Sequence, residues 1–202
     1  MALILGNQLD LDRCPHCAID RPTLIAVFET ETNNYWGGDK RFWRVYCCAR
    51  CGGLVTASAG GHGNRVTACY PQPAEIDPTL PEKAAGYLQQ AVNSLHAPAG
   101  AIMLAASAVD AMLKAKGYKD ETLYRRIDKA ADDHCITREM ALWAHEVRID
   151  ANDQRHSDEG ASLPTTEEAR RCVDFALALG QFMFVLPSRV QKGLTDAKQA
   201  PE

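Results

Sequence analysis

The sequence predicts an α+β protein, in which a small N-terminal β segment precedes an all-α helical bundle. Cysteine is concentrated at one end of the chain, since six of the eight cysteines lie within the first 69 residues. After Tyr70-Pro71-Gln72-Pro73 the composition changes to Ala, Leu, Glu and Lys. Because proline pairs interrupt regular structure, this change predicts a β segment over residues 1–73, a linker over 74–80 and a helical bundle over 81–195.

Strands are predicted in the first segment from short runs of β-branched and aromatic residues, which Asn, Gly and Asp separate. The runs cover residues 23–29, 42–47, 54–59 and 65–70. Because the segment is small and its strands are short, it buries little apolar surface by itself.

Helices are predicted in the second segment from apolar residues that recur at steps of three and four. They are expected near residues 81–95, 98–116, 120–133, 137–157 and 165–186. The last two predicted helices have sequence signals for a helix N-terminus. Thr137 precedes Arg138-Glu139, and Thr165 precedes acidic residues in the first turn. Gly117 stands where a helix C-cap belongs.

Two C-x-x-C pairs, Cys14/Cys17 and Cys48/Cys51, are separated by thirty residues. Each pair can form a tight turn that presents two thiolates, and two such turns complete a tetrahedral site for structural Zn²⁺. The first segment is therefore interpreted as a zinc ribbon, whose metal would add the stability that so small a core lacks. Disulfides would need an oxidising compartment, and a thioredoxin-type pair usually occurs once, so both alternatives are disfavoured.

Other side chains of the ribbon leave two questions open. Strand alternation should point Cys47 away from the metal, whereas His16 could compete as a ligand. A group of aromatic and basic residues is compatible with stacking on nucleic acid or with a small core, and we prefer the core. Its members are Tyr35, Trp36, Arg41, Phe42, Trp43, Arg44 and Arg50.

Charge and hydropathy restrict the partners. The chain carries 22 basic and 26 acidic side chains, a formal charge of −4. This net negative charge disfavours electrostatic binding of nucleic acid over a broad surface, although it allows a local basic patch. No apolar run reaches the roughly 18 residues of a membrane span, and the N-terminal residues lack the features of a secretory signal. We therefore expect a cytoplasmic protein without a membrane partner.

The fourth predicted helix carries a polar row formed by Arg148, Asn152 and His156 at steps of four residues. Successive members rotate by about 40° around a helix, so the three share one side, with Arg155 beside them. Arginine offers a forked donor and histidine a proton carrier near neutral pH, so the row could handle a phosphate. Alternatively, Arg148 and His156 form salt bridges with neighbouring acidic residues on a solvent-exposed or interface surface. The spacing of the motif alone favours this second interpretation.

The stretch Arg148-x-x-Ala151-Asn152-x-x-x-His156 resembles the R-x-x-G-N-x-x-x-H signature of bacterial domain of unknown function 4145, in the HEPN superfamily. The likeness covers roughly residues 75–190. It implies a helical bundle that usually dimerises, so that the Arg and His rows of two chains face each other across a cleft. Many such domains are metal-independent ribonucleases of toxin, antiviral and stress systems.

Two further matches and a set of residue roles accompany this resemblance. The matches are Thr122-Leu123-x-x-x-Ile127 and an Ala-rich second helix ending in Asp110-Ala-Met-Leu. The resemblance implies attack of an RNA 2′-hydroxyl on the adjacent phosphate, with His156 as acid/base, Arg148 as phosphate donor and Asn152 as orienting amide. Secondary binding residues would be Arg155, Asp110 and Ser107.

The sequence also departs from the family pattern. More residues separate Arg148 from His156 than in most ribonuclease members, and Ala106 stands where an arginine usually partners the acid. Asp110 is therefore expected to lack its usual partner. The leading interpretation is a homodimer that engages RNA or nucleotide phosphate, as an endoribonuclease if the row is catalytic. Alternatives are a non-catalytic adaptor that binds protein partners and a module that senses a small nucleotide.

Overall fold

The computed structural model describes residues 2–72, 76–119, 122–154 and 162–199. The chain divides into two compact units, Met1–Glu75 and Ile76–Glu202. The strands lie in the first unit and the helices in the second, so the predicted α+β class is confirmed.

The first unit is built on a four-stranded antiparallel sheet with the strand order β1-β2-β3-β4. The strands are β1 (Leu24–Thr32), β2 (Arg41–Cys48), β3 (Leu54–Ala59) and β4 (Ala68–Tyr70). A β-bulge interrupts the pairing of β1 with β2 between Ala26 and Phe28. The run predicted over 65–70 is a strand only in its second half, because Arg65 instead forms an isolated bridge with Ile4.

The core of the first unit lies between the sheet and the N-terminal segment. Leu24, Tyr46 and Val55 come from three successive strands, and Leu5 comes from the N-terminal segment; all four are fully buried. The Tyr46 hydroxyl donates a hydrogen bond to the Gly6 carbonyl at 2.8 Å. This bond satisfies the one polar atom of a buried ring and ties the N-terminal segment to the sheet.

Two aromatic side chains that we expected in this core lie in solvent instead. Tyr35 and Trp36 occupy the β1–β2 connection, where they are 94% and 86% exposed. Asn34 shapes this loop, because its side-chain oxygen accepts from the amides of Trp36 and Gly38 and its amide donates to Asp39. The core interpretation is wrong for Tyr35 and Trp36, since the loop lies beyond the paired ends of the strands.

The other aromatic residues of the group are engaged by the sheet. Phe42 packs against the buried core. The Trp43 indole donates to the Thr32 hydroxyl at 2.8 Å, and Arg44 forms a 3.0 Å salt bridge with Glu29. These cross-strand pairs stabilise the β1–β2 pairing.

The second unit consists of helices that pack around α2. They are α1 (Glu82–Asn93), α2 (Pro98–Ala115), α3 (Leu123–Asp132), α4 (Arg138–Asp153), α5 (Thr166–Gly180), a π-helical turn (Gln181–Val185) and α6 (Leu186–Gln199). Helix α2 contacts α1, α3, α4 and α5. The alanines of α2 allow this close approach, and Ala101, Ala105 and Ala108 are fully buried.

The predicted start signals of α4 and α5 are confirmed. The Thr137 hydroxyl accepts a hydrogen bond from the Met140 amide at 3.2 Å, and Thr165 forms a capping box with Glu168. The predicted end of the last helix is wrong, because the helical run continues beyond 186 to Gln199. The π-helical turn just before Pro187 already interrupts the regular α-helical hydrogen bonds. Pro187 has no backbone N–H to donate, so it is tolerated directly after this turn.

Two helical stretches, Pro98–Ala115 and Thr166–Lys198, are long and apolar enough to cross a membrane by length and composition alone. Half of the first stretch is buried inside the unit. The core helix of a non-membrane protein passes the same test, so the two stretches are insufficient to indicate a membrane protein.

Candidate functional site

The four predicted cysteines, Cys14, Cys17, Cys48 and Cys51, come together in the first unit. Their sulfur atoms all lie within 4.8 Å of one another, and the Sγ atoms of Cys14 and Cys51 are 3.9 Å apart. A tetrahedral metal with sulfur ligands at about 2.3 Å holds them about 3.8 Å apart, so the observed spacing fits one ion. All four are free thiols. The cluster can therefore hold a soft metal ion.

The two C-x-x-C turns have the same local structure. In each turn the amide of the first cysteine donates to the carbonyl five residues later, and the amide four residues later donates back. The two distances are 3.1 and 2.9 Å for Cys14, and 2.9 and 2.8 Å for Cys48. The residue after the second cysteine has a left-handed backbone in both turns, with φ of 56° at Ala18 and 72° at Gly52. Two separate segments thus present two sulfurs each in the same geometry.

The four sulfurs do not have equal electrostatic environments. Burial raises the pKa of the Cys14 thiol to about 12. Burial also acts to raise the pKa of Cys48, but the backbone amides of Cys51 and Arg50 donate to its sulfur, and the pKa falls to about 7. A bound cation favours the thiolate form at every ligand, because a coordinating thiol loses its proton.

The neighbouring His16 and Cys47 stay outside the cluster. The His16 Nε2 atom lies 2.7 Å from the Leu54 carbonyl oxygen, so this nitrogen bonds to the backbone. The imidazole lies against Gly53, where an added Cβ would come within 2.5 Å of the ring. The Cys47 sulfur lies 3.9 Å from the carbonyl oxygen of Cys48. The cysteine cluster contains Cys48 and not Cys47, as strand alternation predicts.

A second group of candidate site residues lies on α4. The Arg148 guanidinium sits over the Tyr124 ring of α3, 5.3 Å from the ring centroid. The Arg148 Nε atom is buried and has no hydrogen-bond partner, and no salt bridge links Arg148 to a carboxylate within the described ranges. Asn152 follows one helical turn later and is exposed. Arg155 and His156, the other predicted members of the row, lie outside the described residues.

His145 is a neighbour of Arg148 that lies outside the predicted row. Its Nε2 atom lies 2.9 Å from an Asp128 carboxylate oxygen, and its ring centroid lies 4.6 Å from that of Tyr124. Its Nδ1 atom is buried and has no hydrogen-bond partner in the part of the chain that the structure describes. The three-residue step from His145 to Arg148 places both on one helix face. That step was available in the sequence, whereas the position of α3 opposite them was not.

The acidic side chains of α4 lie away from this face. Asp150 follows Arg148 by two residues, which is a rotation of about 200° around the helix. Its carboxylate accepts from the Cys172 thiol of α5 at 3.4 Å. Burial and the adjacent Asp150 carboxylate raise the pKa of Cys172 to about 12. Asp150 is therefore directed toward α5 and does not neutralise Arg148.

Asp110 has two cationic partners, contrary to the expectation that it would lack one. Its carboxylate forms a salt bridge with Arg126 of α3 and another, at 2.6 Å, with Lys114 of α2. The expectation considered only the position one turn earlier on α2, whereas Arg126 approaches from another helix. The Ser107 hydroxyl donates to the Met103 carbonyl at 2.8 Å, so its proton is already used.

The comparisons with known proteins concern the helical unit. A family model described as "Domain of unknown function (DUF4145)" matches residues 89–197. The match starts within α1, includes Arg148 and Asn152, and leaves the cysteine cluster outside. No curated protein and no solved structure matches the chain. Because the family model covers more than half of the 202 residues, the chain belongs to the DUF4145 family of domains of unknown function.

Proposed function

We propose that the helical unit binds RNA or a nucleotide phosphate through Arg148 and Asn152 on α4. The observation that carries this proposal is the Arg148 guanidinium, which lies over Tyr124 with a buried Nε that has no hydrogen-bond partner among the described residues. A buried donor without a partner costs about 1–3 kcal/mol. A phosphate oxygen in reach of that N–H would recover this free energy, and arginine binds phosphate through two parallel hydrogen bonds.

The surroundings of Arg148 suit a nucleotide rather than a bare anion. Tyr124 is 50% exposed, so part of its ring is open to a ligand. Stacking of a base on an aromatic ring contributes about 1–3 kcal/mol, and unpaired bases are accessible mainly in single-stranded RNA. Arg148 would then hold the phosphate, and the base would lie against the part of Tyr124 that Arg148 and His145 leave exposed.

The resemblance to HEPN ribonucleases supports a cleavage reaction at this row. In such a reaction the RNA 2′-oxygen attacks the adjacent phosphorus, and the bond to the 5′-oxygen breaks to leave a cyclic phosphate. His156 would transfer the proton from the 2′-hydroxyl to the leaving 5′-oxygen, Arg148 would stabilise the charged phosphorane, and Asn152 would orient the phosphate. We further propose a homodimer in which two such rows face one cleft.

Cleavage of labelled single-stranded RNA in the presence of chelator tests this function. Wild-type protein should cut the RNA, and both Arg148→Ala and His156→Ala should lower the rate by at least about 100-fold, the usual contribution of an acid/base group. His96→Ala, which removes an exposed histidine just before α2, serves as the matched histidine control and should retain cleavage. Equal inertness of all four proteins would contradict the nuclease. A monomer in light scattering at assay concentration would contradict the shared cleft.

For the first unit we propose that the cysteine cluster holds one structural Zn²⁺. The support is the set of four thiols in two equivalent turns, because a site with four cysteine ligands leaves no coordination position for substrate. Elemental analysis of purified protein should find about one zinc per chain. A folded first unit without metal would contradict the assignment.

A specific observation favours a second candidate function, a non-catalytic adaptor that binds a protein partner. Tyr35 and Trp36 project almost fully exposed from the β1–β2 loop, and tyrosine and tryptophan dominate the energetics of many protein interfaces. An RNA-inert protein that pulls down a defined partner, and loses it in Trp36→Ala, would favour this adaptor over the nuclease.

A further inference from the structure

The helical unit contains a cavity of about 440 Å³ between α1, α2 and the start of α3. Its polar lining consists of Lys83, Tyr87, Ser107, Asp110, Lys114 and Arg126. Pockets for small molecules usually measure about 300–1,000 Å³ and combine apolar walls with a few polar groups. The volume is therefore sufficient for a small organic molecule and too small for a folded partner.

The cavity arises from the small side chains of α2. Ala106, Ala111 and Ala115 line it, and an alanine side chain ends at Cβ. Larger residues at these positions would fill the space between α2 and its neighbours. Pro81, Leu123 of α3 and the ring carbons of Tyr87, whose hydroxyl belongs to the polar lining, complete the apolar wall. This wall offers van der Waals contact to a flat apolar group.

The charged residues of the lining give the cavity a positive balance. Among the described lining residues only Asp110 carries a carboxylate, which Lys114 and Arg126 share. The Arg126 side chain is only 12% exposed. Lys83 adds a third cation, and among the residues with described positions no carboxylate forms a salt bridge with it. Among the lining residues that the structure describes, three are cations and one is a carboxylate, and a negatively charged ligand would supply a partner for Lys83.

We propose that this cavity binds a small organic anion, with a flat apolar body against the alanines of α2 and a carboxylate or phosphate group near Lys83 and Arg126. The cavity lies apart from Arg148 and Asn152 on α4, although it contains Asp110 and Ser107, which the resemblance implied as secondary binding residues. Leu123 and Arg126 line the cavity, whereas Tyr124 of the same helix α3 faces Arg148. The residues of the two sites lie on different faces of α3, so this proposal does not depend on RNA binding.

The binding of 1-anilinonaphthalene-8-sulfonate, a flat apolar fluorophore with one negative charge, tests the proposal on the full-length protein. Wild-type protein should bind the dye at one saturable site. Benzoate should displace the dye, and its neutral isostere benzamide should not, because the cations select a charged ligand. Displacement by both or by neither would overturn the charge argument.

Matched substitutions locate the dye within the cavity. Ala115→Phe places a ring at the exposed end of the alanine wall and should weaken dye binding at least about tenfold, whereas Ala197→Phe on α6 should leave it unchanged. Lys83→Ala should weaken binding by about threefold, as expected for a solvent-exposed charge pair, and Lys192→Ala on α6 should have no effect. The two lysines are both exposed, so neither change should prevent folding. Equal affinity of Lys83→Ala and Lys192→Ala, or of the two phenylalanine variants, would overturn the proposal.

Discussion

Replacement of one cluster cysteine should unfold the first unit, whereas replacement of its sequence neighbour should not. Cys48→Ser removes a sulfur from the four-cysteine cluster, and Cys47→Ser removes the adjacent sulfur, which is not a member. The two substitutions change the same atom at consecutive positions of β2. They differ mainly in their effect on the metal, so each serves as a control for the other.

The expected magnitude follows from the size of the first unit. Its described part comprises residues 2–72. A core in a unit of this size rarely supplies more than about 3–5 kcal/mol, whereas binding of structural zinc adds an apparent 10–16 kcal/mol or so. The metal contribution exceeds that of the core, so Cys48→Ser should leave the unit mostly unfolded. Cys47→Ser should reduce the free energy of unfolding by about 1 kcal/mol or less.

Tryptophan fluorescence and metal content measure this difference. Trp36 and Trp43 report on the first unit and Trp143 on the second. We expect Cys48→Ser to lose zinc and to show the emission of solvated Trp43, while the helical circular dichroism of the second unit persists. Cys47→Ser should retain about one zinc and wild-type emission. The reasoning is refuted if Cys48→Ser retains the wild-type sheet and melting temperature, or if chelator leaves the first unit folded.

Three further substitutions test single contacts. Gly53→Ala should accelerate metal loss to a chelator, because the new Cβ would displace the His16 ring. The backbone amide of His16 lies 3.4 Å from the Cys14 sulfur, so a shift of His16 would disturb that ligand. An unchanged release rate would contradict this. Thr165→Ala should lower the free energy of urea unfolding by about 1 kcal/mol through loss of the capping box, and a wild-type midpoint would argue against that role. Asp110→Ala should cost about 1–3 kcal/mol in the same assay, because it removes the carboxylate from the Arg126 guanidinium; a neutral effect would show that solvent replaces the pair.

Local features of the structure could be predicted well from the sequence. A C-x-x-C turn and a threonine N-cap are determined within five or six residues, so Cys14, Cys48, Thr137 and Thr165 have the expected local structure. Gly117 follows α2 with a φ of 102°, as its C-cap position implies. The hydrogen bonds that form these features join residues close in the chain, and the sequence contains the whole interaction.

Contacts between distant elements could not be predicted in the same way. Arg126 pairs with Asp110, and Tyr124 packs under Arg148, because of how α3 is rotated against α2 and α4. Helical periodicity specifies which residues share a face but not which neighbouring helix that face meets. The exposure of Trp36 follows similarly from the length of the β1–β2 loop, which aromatic composition does not reveal.

Fluorescence anisotropy with a labelled single-stranded RNA tests the central claim, that Arg148 on α4 is part of an anion-binding site. Arg148→Ala should weaken binding at least about tenfold, since a charge-assisted hydrogen bond contributes roughly 1.5–3 kcal/mol. Arg148→Lys should recover only part of the affinity, because lysine lacks the forked donor. Arg189→Ala removes an exposed arginine from α6 and should leave the affinity unchanged. Equal affinities for wild type, Arg148→Ala and Arg189→Ala would contradict the account.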